Sequence, residues 1–128
     1  MARVAHLILY VRDQGASRDF YATVLGCTPR LDVPGMTELE LSDGAVLGLM
    51  PEAGIERLLG GAIEPSRLRE PGRAELYLVV DDPAAHHARA LACGARELSP
   101  LSERTWGHAA AYSLDADGYV LAFAAPMT

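Results

Sequence analysis

Two stretches of this chain are copies of one another, and a chain that repeats itself should fold as two versions of one supersecondary unit. Asp43-Gly44-Ala45-Val46-Leu47-Gly48-Leu49 returns as Asp117-Gly118-Tyr119-Val120-Leu121-Ala122-Phe123, an offset of 74 from Asp43 to Asp117. His6-Leu7-Ile8-Leu9-Tyr10-Val11-Arg12-Asp13 returns as Glu75-Leu76-Tyr77-Leu78-Val79-Val80-Asp81-Asp82, an offset of 69 from His6 to Glu75. With 128 residues to share, each copy is a half-length module, and the pair makes one domain. The modules cover about residues 1–50 and 74–126, and 51–73 connects them.

The first module opens on a dense apolar run from Val4 to Val11, read as a strand, which Asp13-Gln14-Gly15 breaks. Ala16, Phe20, Tyr21 and Val24 then fall at helical spacing, with Gly26 as a terminator after Leu25. Thr37-Glu38-Leu39-Glu40-Leu41 alternates strictly, so the leucines face one way and the glutamates the other. Ser42-Asp43-Gly44 signals a hairpin into Ala45–Met50. The segment from Pro29 to Met36 carries no clear pattern. The connector holds Gly54, Gly60, Gly61 and Gly72 with Pro51, Pro65 and Pro71, and a helical turn is expected at Ile55–Leu59. A connector of this length suits a functional or interface loop.

The second module repeats the order. Glu75–Val80 is the strand, Asp82-Pro83 an N-cap with proline at the first helical position, and Ala84–Cys93 the helix, ended by Gly94. Arg104–Leu114 and Tyr119–Ala124 should pair over Asp115-Ala116-Asp117-Gly118. The helix-ending glycine follows Asp13 by one residue more than Gly94 follows Asp82, which leaves a choice of register. Matching on Asp81 sets Ala74 opposite His6; matching on the apolar strand sets Glu75 there. The second keeps Leu76, Leu78 and Val80 in step with Leu7, Leu9 and Val11, and is preferred.

Composition narrows the function. A net charge of −6 without a basic run argues against nucleic acid or an anionic membrane as partner. Arg57, Arg67, Arg69 and Arg73 are interleaved with Glu56, Glu64 and Glu70 and read as a solvated loop. No apolar run approaches the roughly 20 residues of a membrane span. Met1–Val4 leads straight into a strand, and Cys27 and Cys93 are expected to be reduced, so a soluble cytoplasmic protein is expected.

Taken together, the first strand with His6 and Asp13, the Phe20-Tyr21…Leu25-Gly26 helix end, Val80-Asp81-Asp82 and Asp115-Ala116-Asp117-Gly118 resemble the vicinal oxygen chelate superfamily, the glyoxalase, bleomycin-resistance and extradiol dioxygenase group. The resemblance spans essentially the whole chain. It implies an α+β fold in which two βαβββ modules form a half-open mixed β-barrel around a central cavity, and a homodimer. In metal-dependent relatives, equivalent strand positions of the two modules converge on one divalent cation. His6 matches one such position and Glu75 its counterpart, but Gly48 and Ala122 stand at the other two and have no donor atom. Catalytic metal sites generally use about three protein ligands, so no metal or other cofactor is expected. A third ligand, if any, would come from Glu38, Glu40 or His108.

The expected function is therefore metal-independent binding of a small organic molecule, as in relatives of the glyoxalase/bleomycin-resistance type. The alternative is a metal-dependent lyase or isomerase resembling lactoylglutathione lyase, or a dioxygenase-like enzyme, with Zn, Ni, Mn or Fe on His6 and Glu75. There the metal would polarise a carbonyl while a carboxylate moves a proton. A third possibility is a dimeric interaction module whose cavity is filled by its own side chains.

The candidate ligand-binding residues are His6, Tyr10, Met50, Glu75, Tyr77, Trp106, His108 and Tyr112. His6 shares a strand face with Ile8 and Tyr10. Trp106, His108 and Tyr112 are evenly spaced, so a strand through them turns all three one way, with Tyr77 beside them. An aromatic wall with a few polar tips suits a planar or amphipathic molecule. Met50, like Met36, is an adaptable apolar filler. His86 and His87, about 100° apart on a helix, cannot grip a metal jointly and are expected on a solvated face. Neither cysteine has the partners of a nucleophile.

Overall fold

The computed structural model describes residues 1–68 and 70–127 and divides the chain into two compact units that meet between Leu68 and Glu70. The first unit runs β1 (Ala5–Val11), α1 (Gln14–Leu25), β2 (Leu31–Val33), β3 (Met36–Ser42) and β4 (Ala45–Pro51), followed by α2 (Glu52–Leu58) and a 3₁₀ turn at Pro65–Arg67. The second runs β5 (Glu75–Val79), α3 (Pro83–Ala92), β6 (Arg96–Glu103), β7 (His108–Leu114) and β8 (Val120–Pro126). Each unit forms one four-stranded mixed sheet, ordered β1-β4-β3-β2 and β5-β8-β7-β6. The α+β class and the two βαβββ modules are as expected.

In both units the first strand pairs in parallel with the last. Leu7 stands opposite Leu47 and Leu9 opposite Leu49 on β1 and β4; Leu76 stands opposite Leu121 and Leu78 opposite Phe123 on β5 and β8. Parallel partners need a crossover, and the helix supplies it. The two ladders also settle the register. His6 is opposite Val46 and Glu75 opposite Val120, the repeat mate of Val46, so Glu75 and not Ala74 is the counterpart of His6.

Each helix covers one sheet face. In the first unit Tyr21 and Val24 of α1 are buried with Leu9, Val11, Leu39, Leu47 and Leu49. In the second, α3 packs on β7 and β8, where Ala111, Leu121 and Phe123 are fully buried. Each large apolar side chain buried this way contributes roughly 1.5–3 kcal/mol. The caps repeat as well. Asp13 accepts the Ala16 N–H at 3.0 Å, and Asp82 accepts the Ala85 N–H at 3.1 Å. The Asp115–Gly118 turn closes because Asp115 Oδ1 accepts the N–H groups of Asp117 and Tyr119, both at 2.9 Å. Gly118 at φ 87° has Pro71 against it, 3.2 Å from where a Cβ would stand, so only glycine fits.

Four expectations need correction. The connector is more ordered than a single turn, since α2 takes in Glu52–Leu58 with Ile55 buried. Its Glu56 accepts hydrogen bonds from the Ser66 backbone N–H and hydroxyl. Arg57, Arg67 and Arg73 are exposed as expected, and Arg69 lies outside the described residues.

A strand unseen in the sequence, β6, fills Arg96–Glu103. Its pairing with β7 shifts register around Pro100, and an edge strand tolerates both proline and bulges. In consequence the strand expected from Arg104 starts only at His108. The Arg104 N–H donates to His108 O at 2.8 Å, and Gly107 at φ 88° completes the turn, so Trp106 is a turn residue.

His87, finally, is not solvated. It is 6% exposed, and its Nε2 lies 2.9 Å from Glu97 Oε2 on β6. His86 turns its ring to Phe123, with centroids 5.0 Å apart.

The patternless Pro29–Met36 segment becomes β2 and its turn, tied to the start of α1 by side chains. Gln14 Nε2 donates to Val33 O (2.8 Å) and Thr37 Oγ1 (2.9 Å), and Gln14 Oε1 accepts the Gly35 N–H (3.0 Å). Thr37, fully buried, donates in turn to Asp32 Oδ1 at 2.8 Å. A Thr37→Val protein keeps the shape and loses both bonds. Its unfolding free energy in urea is expected to fall by about 1–3 kcal/mol; an unchanged midpoint would show that the clamp contributes nothing.

Candidate functional site

Successive strand residues point to opposite faces, so the leucine pairs that meet the helices dictate what the other faces carry. In the first unit the face turned from α1 bears His6, Ile8 and Tyr10 on β1, Val46, Gly48 and Met50 on β4, and Met36, Glu38 and Glu40 on β3. Gly48 stands between Ile8 and Glu38. The space above it is taken: a Cβ there would overlap Ile8 Cδ1 and lie 3.2 Å from Met36 Sδ.

Glu38 has a nitrogen partner on each side. Arg30 Nε donates to its Oε1 at 3.0 Å, and His6 Nδ1 lies 3.5 Å from its Oε2. Glu40 is more exposed, with Arg30 at 3.9 Å. Two of the three third-ligand candidates therefore face an arginine. Arg30 itself had no signal in the sequence. It reaches Glu38 because its own N–H donates to Glu38 O at 2.8 Å where β2 folds back on β3, a pairing that the local pattern hides.

In the second unit the equivalent face bears Glu75, Tyr77 and Val79 on β5, Val120, Ala122 and Ala124 on β8, and His108, Ala110, Tyr112 and Leu114 on β7. Ala122 stands between Tyr77 and Tyr112 and is fully buried. Because β8 offers only Ala122 and Ala124 here, side chains from β5 and β7 meet above it. Tyr77 and His108 stack with centroids 5.8 Å apart and planes 18° apart, and Tyr77 Oη lies 2.6 Å from His108 Nδ1.

Trp106, 55% exposed in its turn, reaches the same group, its Nε1–H donating to Tyr77 Oη at 3.0 Å. The sequence grouped Trp106 with these residues through strand alternation; a hydrogen bond from a turn brings it there instead.

Arg104, which the sequence did not single out, completes the arrangement. Its guanidinium donates to Ala110 O and Ser99 Oγ, each at 2.8 Å, and its Cζ lies 5.1 Å from the centre of the Tyr112 ring. Burial pushes the Tyr112 phenol above its ordinary pKa, and Glu75 and Tyr77 raise it further, while Arg104 draws it partly back. Tyr112 thus stays a protonated donor well into alkaline solution.

Among the described residues, no three His, Cys, Asp or Glu side chains are grouped so as to hold a metal ion. No described helix is long and apolar enough to cross a membrane.

Two such sheets, each with its helix on one face and a polar and aromatic set on the other, place the chain in a known class. It belongs to the Glyoxalase/Bleomycin resistance protein/Dioxygenase superfamily, whose family model matches residues 3–123. Among solved structures it is similar to a glyoxalase-related enzyme from Fulvimarina pelagi, at 25% identity and a TM-score of 0.82 over 98% of this chain and 88% of that one. It shares its fold with a glyoxalase/bleomycin resistance protein/dioxygenase family enzyme from Burkholderia phytofirmans PsJN (20% identity, TM-score 0.83, 98% and 100% covered). The fold is also that of TioX from Micromonospora sp. ML1 (18%, 0.66, 98% and 100%). Among curated proteins, nothing matches the chain significantly.

The electrostatic effect of Glu75 on the Tyr112 phenol can be measured. In Glu75→Gln protein the alkaline absorbance titration of the Tyr112 component, identified by difference from Tyr112→Phe, should move to lower pH. An unmoved component would show that the carboxylate does not act on this phenol.

Proposed function

We propose that the protein binds a small organic molecule with a planar part on the second sheet's aromatic face, without a resident metal. The observation that carries this reading is the joined set of Trp106, Tyr77 and His108, with Tyr112 and Glu75 on the same sheet face. Exposed indole beside polar ring tips offers stacking area together with a few orienting hydrogen bonds. On the first sheet, His6, Tyr10 and Met50 occupy the equivalent face of their own unit and are assigned a ligand-binding role there.

The metal-free part of the proposal draws support from the two blank positions. Gly48 and Ala122 lack donors, and each is flanked by bulk: Ile8 and Met36 over one, Tyr77 and Tyr112 beside the other. A donor side chain would have to displace one of these neighbours. His6 and Glu75 remain the residues to which the family's metal positions correspond, and Glu38 already answers to Arg30.

A second reading, a lyase or isomerase of the glyoxalase type, draws on the His6–Glu38 approach of 3.5 Å, two potential ligands on one face. It requires Arg30 to give up Glu38. The assembly is proposed to be a cytoplasmic homodimer; the free thiols of Cys27 and Cys93 support a reducing compartment.

A thermal-shift screen of planar molecules in the presence of a chelator tests the leading reading. A ligand at 100 times its dissociation constant should stabilise the folded protein by about 2.7 kcal/mol. Trp106→Ala should weaken that ligand about tenfold, the loss typical of an aromatic anchor. Stabilisation that appears only after Zn, Ni, Mn or Fe is added would instead favour the enzyme.

A further inference from the structure

The aromatic face contains a hydrogen-bond chain whose direction can be worked out from its members. An indole N–H donates and never accepts, so Trp106 must donate to Tyr77 Oη, at 3.0 Å. That contact occupies the phenol as an acceptor and leaves its O–H to be placed. The partner is His108 Nδ1, 2.6 Å away, a short distance that suits O–H donating to an imidazole nitrogen. If Nδ1 carried the proton instead, Tyr77 Oη would accept twice and its own hydrogen would lack a partner among the described residues. Only one assignment gives every member its bond: Trp106 N–H to Tyr77 O–H to His108 Nδ1.

A neutral imidazole that accepts at Nδ1 carries its proton at Nε2. His108 is thereby held as a donor, half-buried on the sheet face, and its Nε2 bonds to no described residue. Tyr112, on the same strand and face, carries a phenol O–H that can donate too. Arg104 adds positive charge over the Tyr112 ring. With the Tyr77 O–H engaged by His108, the groups left to donate on this face are His108 Nε2–H and the Tyr112 O–H, while Glu75, at the strand start, offers acceptor oxygens.

We propose that this face selects planar molecules bearing a hydrogen-bond acceptor, a carbonyl or carboxylate oxygen, read by His108 Nε2–H, with Tyr77 as the positioning residue that fixes the tautomer. The proposal rests on the planar-ligand reading above and adds the chemistry of the ligand's polar edge. A ligand whose polar group can only donate meets a donor at His108 and leaves one of the two unpaired, a penalty that a binding site uses to discriminate.

Trp106 is the only tryptophan of the chain, so its fluorescence reports binding at this face alone. The probes are 2-naphthoate and (2-naphthylmethyl)ammonium, which share the stacking ring and differ in their polar group. In mildly alkaline buffer, nitrogen-15 spectra of wild-type protein should show His108 with Nδ1 bare and Nε2 protonated, and Tyr77→Phe should shift the Nδ1 signal.

The ratio of the two probes' dissociation constants should change about tenfold, against naphthoate, on His108→Phe, because a bond between a donor and a charged acceptor is lost. Quenching by the naphthyl ring should persist in that variant. Charge effects of Glu75 and Arg104 are common to both proteins and cancel from the comparison. An Nδ1-protonated His108, or a ratio untouched by His108→Phe while both probes still bind, would overturn the proposal and leave planar binding intact. Failure of both probes to quench Trp106 in wild-type protein would count against planar binding and remove the proposal with it.

Discussion

Each unit depends on a parallel ladder between its first strand and its last, β1 with β4 and β5 with β8. The ladder forces a helical crossover, and the crossover covers one face with apolar side chains. Whatever the sequence places at alternate positions must then appear on the opposite face. A slip of one residue would exchange Tyr10 for Leu9 and Tyr77 for Leu76, burying the polar tips and exposing the core. The leucine pairs Leu9–Leu49 and Leu76–Leu121 therefore set what the opposite face carries as much as they hold the sheet.

The same ladders explain how the two faces came to differ. Gly48 and Ala122 hold equivalent positions beside Ile8 and Tyr77. At Gly48 the missing side chain is replaced by Ile8 and Met36, and the face becomes an apolar floor with a His6–Glu38–Arg30 cluster at its edge. At Ala122 the small methyl lets Tyr77 and His108 meet above β8, a contact that a longer side chain would obstruct. The repeat supplies one frame twice, and the residues around its two small matched positions, Gly48 and Ala122, give the two faces different side chains.

Much of this was legible in the chain because it is local or repeated. The two modules, the Asp13 and Asp82 caps, the Asp115–Gly118 turn and the match of Glu75 to His6 all follow from spacing. What stayed hidden depends on partners distant in sequence. The edge strand β6 is polar, broken by Pro100 and irregular in register, so no alternation marked it. Without β6, Glu97 had no place, and the burial of His87 beside it could not be foreseen. Trp106 was grouped with the right residues for the wrong reason, since evenly spaced residues suggested one strand where the chain turns. Arg30 and Arg104 act through backbone and side-chain contacts that periodicity does not encode.

The central claim is that the two blank ladder positions turn a metal-site frame into a binding face. Metal content after dialysis against Zn, Ni, Mn and Fe salts, then against buffer, tests it most directly. The account predicts well under one ion retained per chain, with no difference between wild type and His6→Ala. One tightly held ion per chain, lost on His6→Ala or Glu75→Gln, would contradict it.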